Sequence, residues 1–379
     1  MIKKSILTFV FVVLIIELSL QFFYLLANKQ WLFFRTGLPM YQQSNDAHYD
    51  IKNNFIASHK TNEFNYKIIV NEKSNRITEY DYVYKQKAVK SDEKSNIKTV
   101  YHLGPSFTFG WGVNYEDSYT YLISKFLKKN KNYESINLSV PNMLPDLQLC
   151  KYLLKIKNKE INKPDLIVVT LYPGLGFDTI STRPTEDEQI NYCKGINKKY
   201  FVTGGGYLVR KQDRIIDNLK LIIKNSALVF YTNLFIVSNL NIIGKNKLDI
   251  NYLVSQRDHI LEAKEVELAI NNYINLINEN NTNKIKIIFI FIPESWQINN
   301  VYLPRWRFNN IDFANVEKSN KFIIGYLSTK FNIIDTTKDL QIASKIKDTN
   351  YFFDTHFNQY GNITVYEKFK NFYNDHINE

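Results

Sequence analysis

Residues that can act as a nucleophile, a base and an orienting acid occur near the two ends of one stretch of the chain. Ser106 follows an apolar, strand-like segment within the sequence HLGPSFTFGWGV. A serine in a tight strand-to-helix turn exposes its hydroxyl at the carboxyl edge of a parallel sheet. Asp354 and His356 lie in FFDTHFNQYGN, just before the last predicted helix. A histidine can take the serine proton and a carboxylate can orient the histidine, so the pattern predicts nucleophilic catalysis.

Each motif also has an ordinary structural explanation. Ser106 could be a turn or helix-capping serine, and His356 could be a surface histidine beside a capping residue. The two motifs occur together, in the order Ser, Asp, His, at opposite ends of one folding unit. This combination favours the catalytic interpretation over two unrelated turns.

The elements that must position these residues alternate between strand-like and helical patterns from residue 97 onward. Such alternation predicts an α/β domain with a parallel sheet, over residues 97–379. The predicted strands are 97–103, 133–138, 165–171, 283–292 and 331–334, and the predicted helices are 119–128, 146–155, 258–279, 322–327 and 360–373.

Residues 178–255 interrupt this alternation for longer than an ordinary crossover, so they predict an inserted subdomain. A glycine turn at 204–206 predicts a hairpin of 200–203 with 207–210. The helical pattern at 226–240 fits either a helix packed on the sheet or one with a face at a lipid surface.

Residues 5–27 form a nearly unbroken apolar run after Lys3 and Lys4. At 1.5 Å per residue, this length spans a hydrocarbon core of about 30 Å and predicts a transmembrane helix. A cleaved signal peptide is the alternative. Glu17 and Gln21 lie one helical turn apart, so we expect Glu17 to bond to Gln21 or to a partner helix. Residues 28–96 are polar with short alternating pieces, which predict a β-rich stalk or extension.

The chain resembles the SGNH, or GDSL-type, hydrolase superfamily in its ordered motif blocks. Residues 104–110 (GPSFTFG) are similar to G-D-S-x-T-x-G, residues 136–142 (INLSVPN) are similar to the second block, and residues 164–169 (PDLIVV) are similar to the strand before the third. The resemblance implies a three-layer α/β/α sandwich with a flavodoxin-like parallel sheet. It also implies that Ser106 is the nucleophile, His356 the base and Asp354 its orienting acid.

The blocks also depart from the family pattern. Pro105 replaces the motif Asp, Ser139 replaces the second-block Gly, and Gly174 stands where an Asn side chain is expected. The resemblance implies an oxyanion hole that includes the Ser106 and Ser139 backbone N–H groups. Asn142, which lies close after Ser139, is our candidate to replace the missing side-chain donor. Losing one such donor costs about 10²- to 10³-fold in turnover.

The resemblance implies a membrane-anchored serine esterase or O-acyltransferase that acts on acyl esters, in particular O-acetyl esters of envelope carbohydrate. The apolar run and the envelope character of this family then imply that residues 1–4 are cytoplasmic and the body extracytoplasmic. The charges flanking the run are nearly balanced, so they do not set this orientation by themselves. The alternative is a catalytically degenerate SGNH-fold module that binds glycan or assembles an envelope complex.

The formal net charge of +11 comes from Lys that is spread along the chain. No nucleic-acid motif accompanies it, so we expect a solvated basic surface and no nucleic-acid partner. The six His have no metal-ligand spacing, so no metal and no cofactor is expected. In an oxidising compartment, Cys150 and Cys193 could form one disulfide or remain two buried thiols.

Overall fold

The computed structural model describes most of the α/β body and part of the preceding chain. The described residues are 2–28, 38, 40–44, 49–61, 63–85, 97–172, 183, 185–194, 200–202, 208–210, 226, 228, 263–278, 285–299, 313–351 and 354–377.

The chain begins with a helix and a group of short strands that precede the α/β body. The helix spans Ile2–Asn28 and a second helix spans Glu79–Lys85; the strands between them are β1 (Tyr41–Gln43), β2 (Tyr49–Ile51), β3 (Ile56–Lys60) and β4 (Asn65–Ile69). β1 pairs antiparallel with β2, and β3 pairs antiparallel with β4. We call residues 40–85 the extension.

The α/β body supplies the remaining described elements. Its strands are β5 (Lys98–Leu103), β6 (Tyr133–Asn137), β7 (Leu166–Leu171), β8 (Tyr200–Val202), β9 (Leu208–Arg210), β10 (Lys286–Phe291) and β11 (Asn332–Asp335). Its helices are Ser106–Phe109, Tyr119–Lys131, Pro145–Lys157, Glu186–Lys194, Ala263–Asn278, Ser295–Ile298, Phe313–Ser328, Thr337–Ser344 and Gln359–His376, with a 3₁₀ turn at Tyr115–Asp117.

Five strands form the central sheet in the order β11-β10-β7-β5-β6, and every neighbouring pair is parallel. The predicted α/β fold with a parallel central sheet is therefore confirmed. The strand order reverses between β5 and β7, and in open sheets the crevice at such a point, outside the carboxyl ends of the strands, is where ligands bind. Ser106 follows β5 and therefore lies at this crevice.

Alternate side chains of the strands pack on opposite sides of the sheet. Tyr101 and Phe289 belong to a core shared with the helices Pro145–Lys157 and Ala263–Asn278. Ile288 belongs to a second core, shared with the helices Tyr119–Lys131 and Gln359–His376. Helices on both faces make the three layers that the family resemblance implies.

The differences from the predicted elements lie where apolar periodicity is weak. The predicted helix at 322–327 is longer, Phe313–Ser328, because the few apolar residues of its first half, FANVEKSN, do not show a clear helical period. The helix Thr337–Ser344 was not predicted, and it buries only Leu340, Ala343 and Ser344. Short amphipathic helices carry too few buried positions to show a period.

The predicted hairpin in the insertion is confirmed, because β8 and β9 pair antiparallel. The predicted helical segment at 226–240 lies outside the described residues except for positions 226 and 228.

The extension packs directly on the α/β body. Tyr49 and Ile68 of the extension share a buried core with Phe109, Val140 and Leu147 of the body. The β-rich part of residues 28–96 is therefore an extension of the domain rather than a separate stalk.

Glu17 makes hydrogen bonds within and beyond its own helix. The Gln21 Nε2 donates to Glu17 Oε1 at 2.8 Å, as the sequence predicts. The Ser226 hydroxyl and the Leu228 N–H donate to the other oxygen, at 2.8 and 2.9 Å. Among the described residues, no helix combines the length and apolarity of a membrane span.

A disulfide joins the helix Pro145–Lys157 to the helix Glu186–Lys194. Cys150 and Cys193 are both buried, and their Cα atoms are 5.5 Å apart. Of the two alternatives that the sequence leaves open, the structure shows the bridge. It ties the start of the inserted region to the core of the body.

Removing this bridge should destabilise the protein. Cross-linking two residues that are 43 positions apart lowers the entropy of the unfolded chain and stabilises the fold by about 4 kcal/mol in the chain-entropy description. We expect Cys150→Ser with Cys193→Ser to lower the free energy of unfolding by about 3 to 4 kcal/mol in urea titrations. Reductant should shift the parent's unfolding midpoint and leave that of the double variant unchanged. An equal response of both proteins to reductant would contradict the bridge.

Candidate active site

Ser106 begins a one-turn helix immediately after β5. The chain passes from Leu103 through Gly104 and Pro105, and the Phe109 N–H donates to the Pro105 carbonyl at 3.0 Å. Gly104 must be glycine, because a Cβ there would lie 1.9 Å from the Thr108 Oγ1. This tight strand-to-helix turn places the Ser106 side chain beyond the carboxyl end of the sheet, as the sequence predicts.

The turn after Ser106 is held by the extension. The Arg76 guanidinium donates to the carbonyls of Phe109, Gly110 and Val113, at 2.6, 2.5 and 2.6 Å. Gly110 has a φ of +81°, a conformation that glycine adopts without steric cost. The position of Trp111, which lies between these carbonyls, therefore depends on Arg76.

Ser106, His356 and Asp354 form a continuous chain of hydrogen bonds. The Ser106 Oγ lies 2.6 Å from the His356 Nε2, and the His356 Nδ1 lies 2.6 Å from the Asp354 Oδ1. A carboxylate only accepts, so Nδ1 carries a proton and donates it, and the Nε2 of a neutral imidazole accepts from the serine hydroxyl. The structure brings together the three residues that the sequence singled out, in the order required to deprotonate Ser106.

The charge state of Asp354 suits an orienting acid. Burial tends to raise the pKa of Asp354, but the hydrogen bond from His356, the attraction to that ring and the Trp111 N–H outweigh it. The net pKa lies below the usual value, so the carboxylate is ionised at neutral pH. An ionised Asp354 holds the tautomer of His356 and stabilises the imidazolium that forms when Ser106 loses its proton.

Aromatic rings surround the imidazole. The Phe107 ring centre lies 4.7 Å from that of His356 and 4.9 Å from that of Tyr172, and the Trp111 ring lies 6.2 Å from His356. Phe107 is nearly buried and Phe109 is fully buried. These rings therefore form part of the core and of the wall around His356.

The two other predicted oxyanion donors have hydrogen-bond partners within the protein. The Ser139 N–H donates to the Asn137 Oδ1 at 3.0 Å, and the Asn142 Nδ2 donates to the Tyr41 hydroxyl at 3.2 Å. Both donors are thus engaged inside the protein, because the second block is built into the buried interface with the extension. Gly174, where the family has an Asn donor, lies outside the described residues.

Sequence reasoning did not connect Glu63 or His59 with the triad, nor did it predict the contact between Trp111 and Asp354. The Asp354 N–H donates to the Glu63 Oε2 at 2.9 Å, and the Trp111 Nε1–H lies 3.4 Å from the Asp354 Oδ2. The His59 ring lies 4.9 Å from the Trp111 ring. Glu63 and His59 belong to the extension, and no motif or spacing in the sequence links them to Asp354.

His59 lies beside Trp111 as a neutral imidazole. Burial lowers the pKa of His59, and the charge of Asp354 opposes this only in part. Its imidazole is therefore neutral at neutral pH, and its Nδ1 lies 3.2 Å from the Tyr66 hydroxyl. Within the described ranges, no group of three or more His, Cys, Asp or Glu side chains could hold a metal ion.

Comparison with known proteins adds structural similarities. No family model matches the sequence, and no curated protein matches it. The chain is similar in structure to the lipase Lip_vut3 from a goat rumen metagenome, with 12% identity and a TM-score of 0.41 over 73% of this chain and 97% of that one. It is also similar to a lipolytic G-D-S-L family member from Veillonella parvula, with 13% identity and a TM-score of 0.34 over 72% and 97% of the two chains.

A third similar structure is TesA, with 12% identity and a TM-score of 0.34 over 73% of this chain and 99% of that one. The matched proteins thus include members of the lipolytic family that the motif blocks resemble.

The triad geometry predicts selective labelling of Ser106. A serine-directed fluorophosphonate should label the parent at this serine, because the His356 Nε2 lies within hydrogen-bond reach of the Ser106 Oγ and can accept its proton. The measurement is the labelling rate constant at neutral pH by intact-protein mass spectrometry, and Asp354 is ionised there because its pKa is lowered. Ser106→Ala should not be labelled, whereas Ser328→Ala, at an exposed serine, should match the parent; labelling of Ser106→Ala would contradict the assignment.

Proposed function

We propose that this chain is a membrane-anchored SGNH-type serine esterase or O-acyltransferase that acts on acyl esters of envelope carbohydrate. The observation that carries the proposal is the unbroken hydrogen-bond chain from Ser106 through His356 to Asp354, with both links at 2.6 Å. A histidine within hydrogen-bond reach of both a serine and an orienting carboxylate is the arrangement that activates a serine for acyl transfer.

The reaction follows from these roles. The Ser106 Oγ attacks the ester carbonyl carbon while its proton passes to the His356 Nε2, and the carbonyl oxygen becomes an oxyanion. The intermediate collapses to an acyl-serine, and the departing alkoxide takes the proton from His356. A water molecule or a second hydroxyl then gives its proton to His356 and attacks the acyl-serine. The Ser106 Oγ leaves and takes that proton back from His356, and an acid or a new ester is released.

The substrate class rests on the family resemblance. Transfer of the acyl group to water makes an esterase, and transfer to a sugar hydroxyl makes an O-acyltransferase. Both products arise from one acyl-serine, so the acceptor that enters the crevice determines the outcome.

Two features support the anchored, exported arrangement. The helix Ile2–Asn28 exposes large apolar side chains, including Phe9, Phe11 and Phe23. The Cys150–Cys193 disulfide suits an oxidising compartment, where such bridges persist. The proposal therefore places residues 1–4 in the cytoplasm and the α/β body on the other side of the membrane.

A second candidate function is a catalytically degenerate module that binds glycan or assembles an envelope complex. The specific observation in its favour is that the Ser139 N–H and the Asn142 side chain already donate to Asn137 and Tyr41. A site with an activated serine but too few oxyanion donors would bind esters and turn them over poorly.

Hydrolysis of a small activated ester distinguishes these candidates. The full chain, purified in detergent, should hydrolyse p-nitrophenyl acetate slowly, because the oxyanion site has fewer donors than the family pattern provides. We expect Ser106→Ala and His356→Ala each to lower kcat by about 10³-fold or more, with little further loss in the double variant, because the members of such a unit act together. Steady-state kinetics measures these losses.

Asn142→Ala provides the matched test of the oxyanion assignment. Its side chain donates a hydrogen bond to the Tyr41 hydroxyl in the structure, so kcat should change by less than about threefold.

Absence of turnover and of fluorophosphonate labelling in the parent would favour the degenerate binding module.

Protease accessibility tests the topology. Protease added to intact spheroplasts of a bacterial host should digest the body, whereas a cytoplasmic marker protein stays intact. Digestion of the body only after lysis would contradict the proposed export.

A further inference from the structure

Asp354 sits in a turn whose backbone needs external support. The Thr355 N–H donates to the Tyr351 carbonyl at 3.1 Å, and Thr355 has a φ of +69°. The left-handed region is unfavourable for a β-branched residue and persists only where neighbouring structure holds it. The Asn350 Nδ2 supports the turn from one side by donating to the Thr355 carbonyl at 2.7 Å.

The extension supports the same turn from the other side. Glu63 lies between β3 and β4, where the Thr61 hydroxyl oxygen accepts from the N–H groups of Glu63 and Phe64, at 3.1 and 3.2 Å. This local bonding fixes the tip of the hairpin. The Glu63 Oε2 accepts the Asp354 N–H at 2.9 Å, across 291 positions of sequence. A hydrogen bond from a backbone N–H to a carboxylate is among the stronger kinds.

The hairpin tip also packs on the Asp354 turn through aromatic rings. The Phe64 ring centre lies 5.0 Å from that of Tyr351 and 5.1 Å from that of His59. Phe64 is nearly buried. The tip therefore has a defined position relative to the turn, and the Glu63 carboxylate has a defined direction.

We propose that Glu63 is a positioning residue for the triad, which holds the Asp354 backbone in the place where its carboxylate can orient His356. This inference rests on the proposed function of the Ser106 site. Glu63 acts through Asp354 and contacts neither Ser106 nor His356 in the described hydrogen bonds. Its effect comes from the side-chain oxygen that accepts the Asp354 N–H. A glutamine at position 63 keeps such an oxygen.

The consequence is a specific pattern of kinetic losses. Misplacing a catalytic group by about 1 Å costs up to about 10²-fold in rate. We expect Glu63→Ala to lower kcat about 10-fold or more with KM changed less than twofold, because the substrate does not contact Glu63. Glu63→Gln should stay within about threefold of the parent, since its amide oxygen can accept the same N–H.

The experiment uses the full chain in detergent with p-nitrophenyl acetate, and kcat is calculated per serine labelled by the fluorophosphonate. A variant that merely unfolds loses labelled protein and keeps its kcat per labelled site, whereas a misplaced triad lowers kcat per site. Glu79→Ala is the matched control, because Glu79 lies in the same extension and pairs with Lys67 at the surface. It should leave both the labelled fraction and kcat unchanged.

Three outcomes would overturn the inference. An unchanged kcat per site in Glu63→Ala shows that Asp354 does not need Glu63, while the proposed function stands. A Glu63→Gln variant as slow as Glu63→Ala shows that charge rather than the acceptor matters. A parent with neither turnover nor labelling overturns the proposed function itself, and the inference with it.

Discussion

The buried guanidinium of Arg76 is the interaction on which the geometry of the site depends. Arg76 is 2% exposed, and three of its acceptors are the carbonyls of Phe109, Gly110 and Val113 in the turn that follows Ser106. Burial lowers the pKa of Arg76 to about 10, so it remains charged at neutral pH. A buried charge needs such hydrogen bonds to offset its lost hydration. The turn is therefore constrained by a residue from outside the α/β body.

This constraint explains why the extension belongs to the site. The turn that Arg76 holds carries Trp111 towards Asp354, and the β3–β4 tip brings Glu63 to the same aspartate. The triad is thus supported by two separate parts of the chain. The parallel sheet positions Ser106 at the carboxyl end of β5. The extension contacts the turn that bears Asp354 through Glu63.

The second motif block has taken a structural role around Asn137. The Asn137 Oδ1 accepts hydrogen bonds from the N–H and the hydroxyl of Ser139. The Asn137 Nδ2 donates to the Thr108 carbonyl, on the helix that begins with Ser106. The bonds link the end of β6 to that helix through buried polar groups, which are costly to leave unpaired. An oxyanion donor at Ser139 would require the Asn137 side chain to rotate away. The block therefore helps to hold the helix that begins with Ser106 in place.

The sequence by itself determined the sheet, the order of its elements and the three residues Ser106, Asp354 and His356. Those features depend on local patterns, since apolar periodicity and tight turns reflect near neighbours in the chain. Only the tertiary structure decided which partners the Ser139 N–H and the Asn142 side chain bind. It also decided that Cys150 and Cys193 are bridged and that Glu63 reaches Asp354. Such contacts join residues as much as 291 positions apart, and no local pattern encodes them, because side chains are brought together by the packing of whole elements.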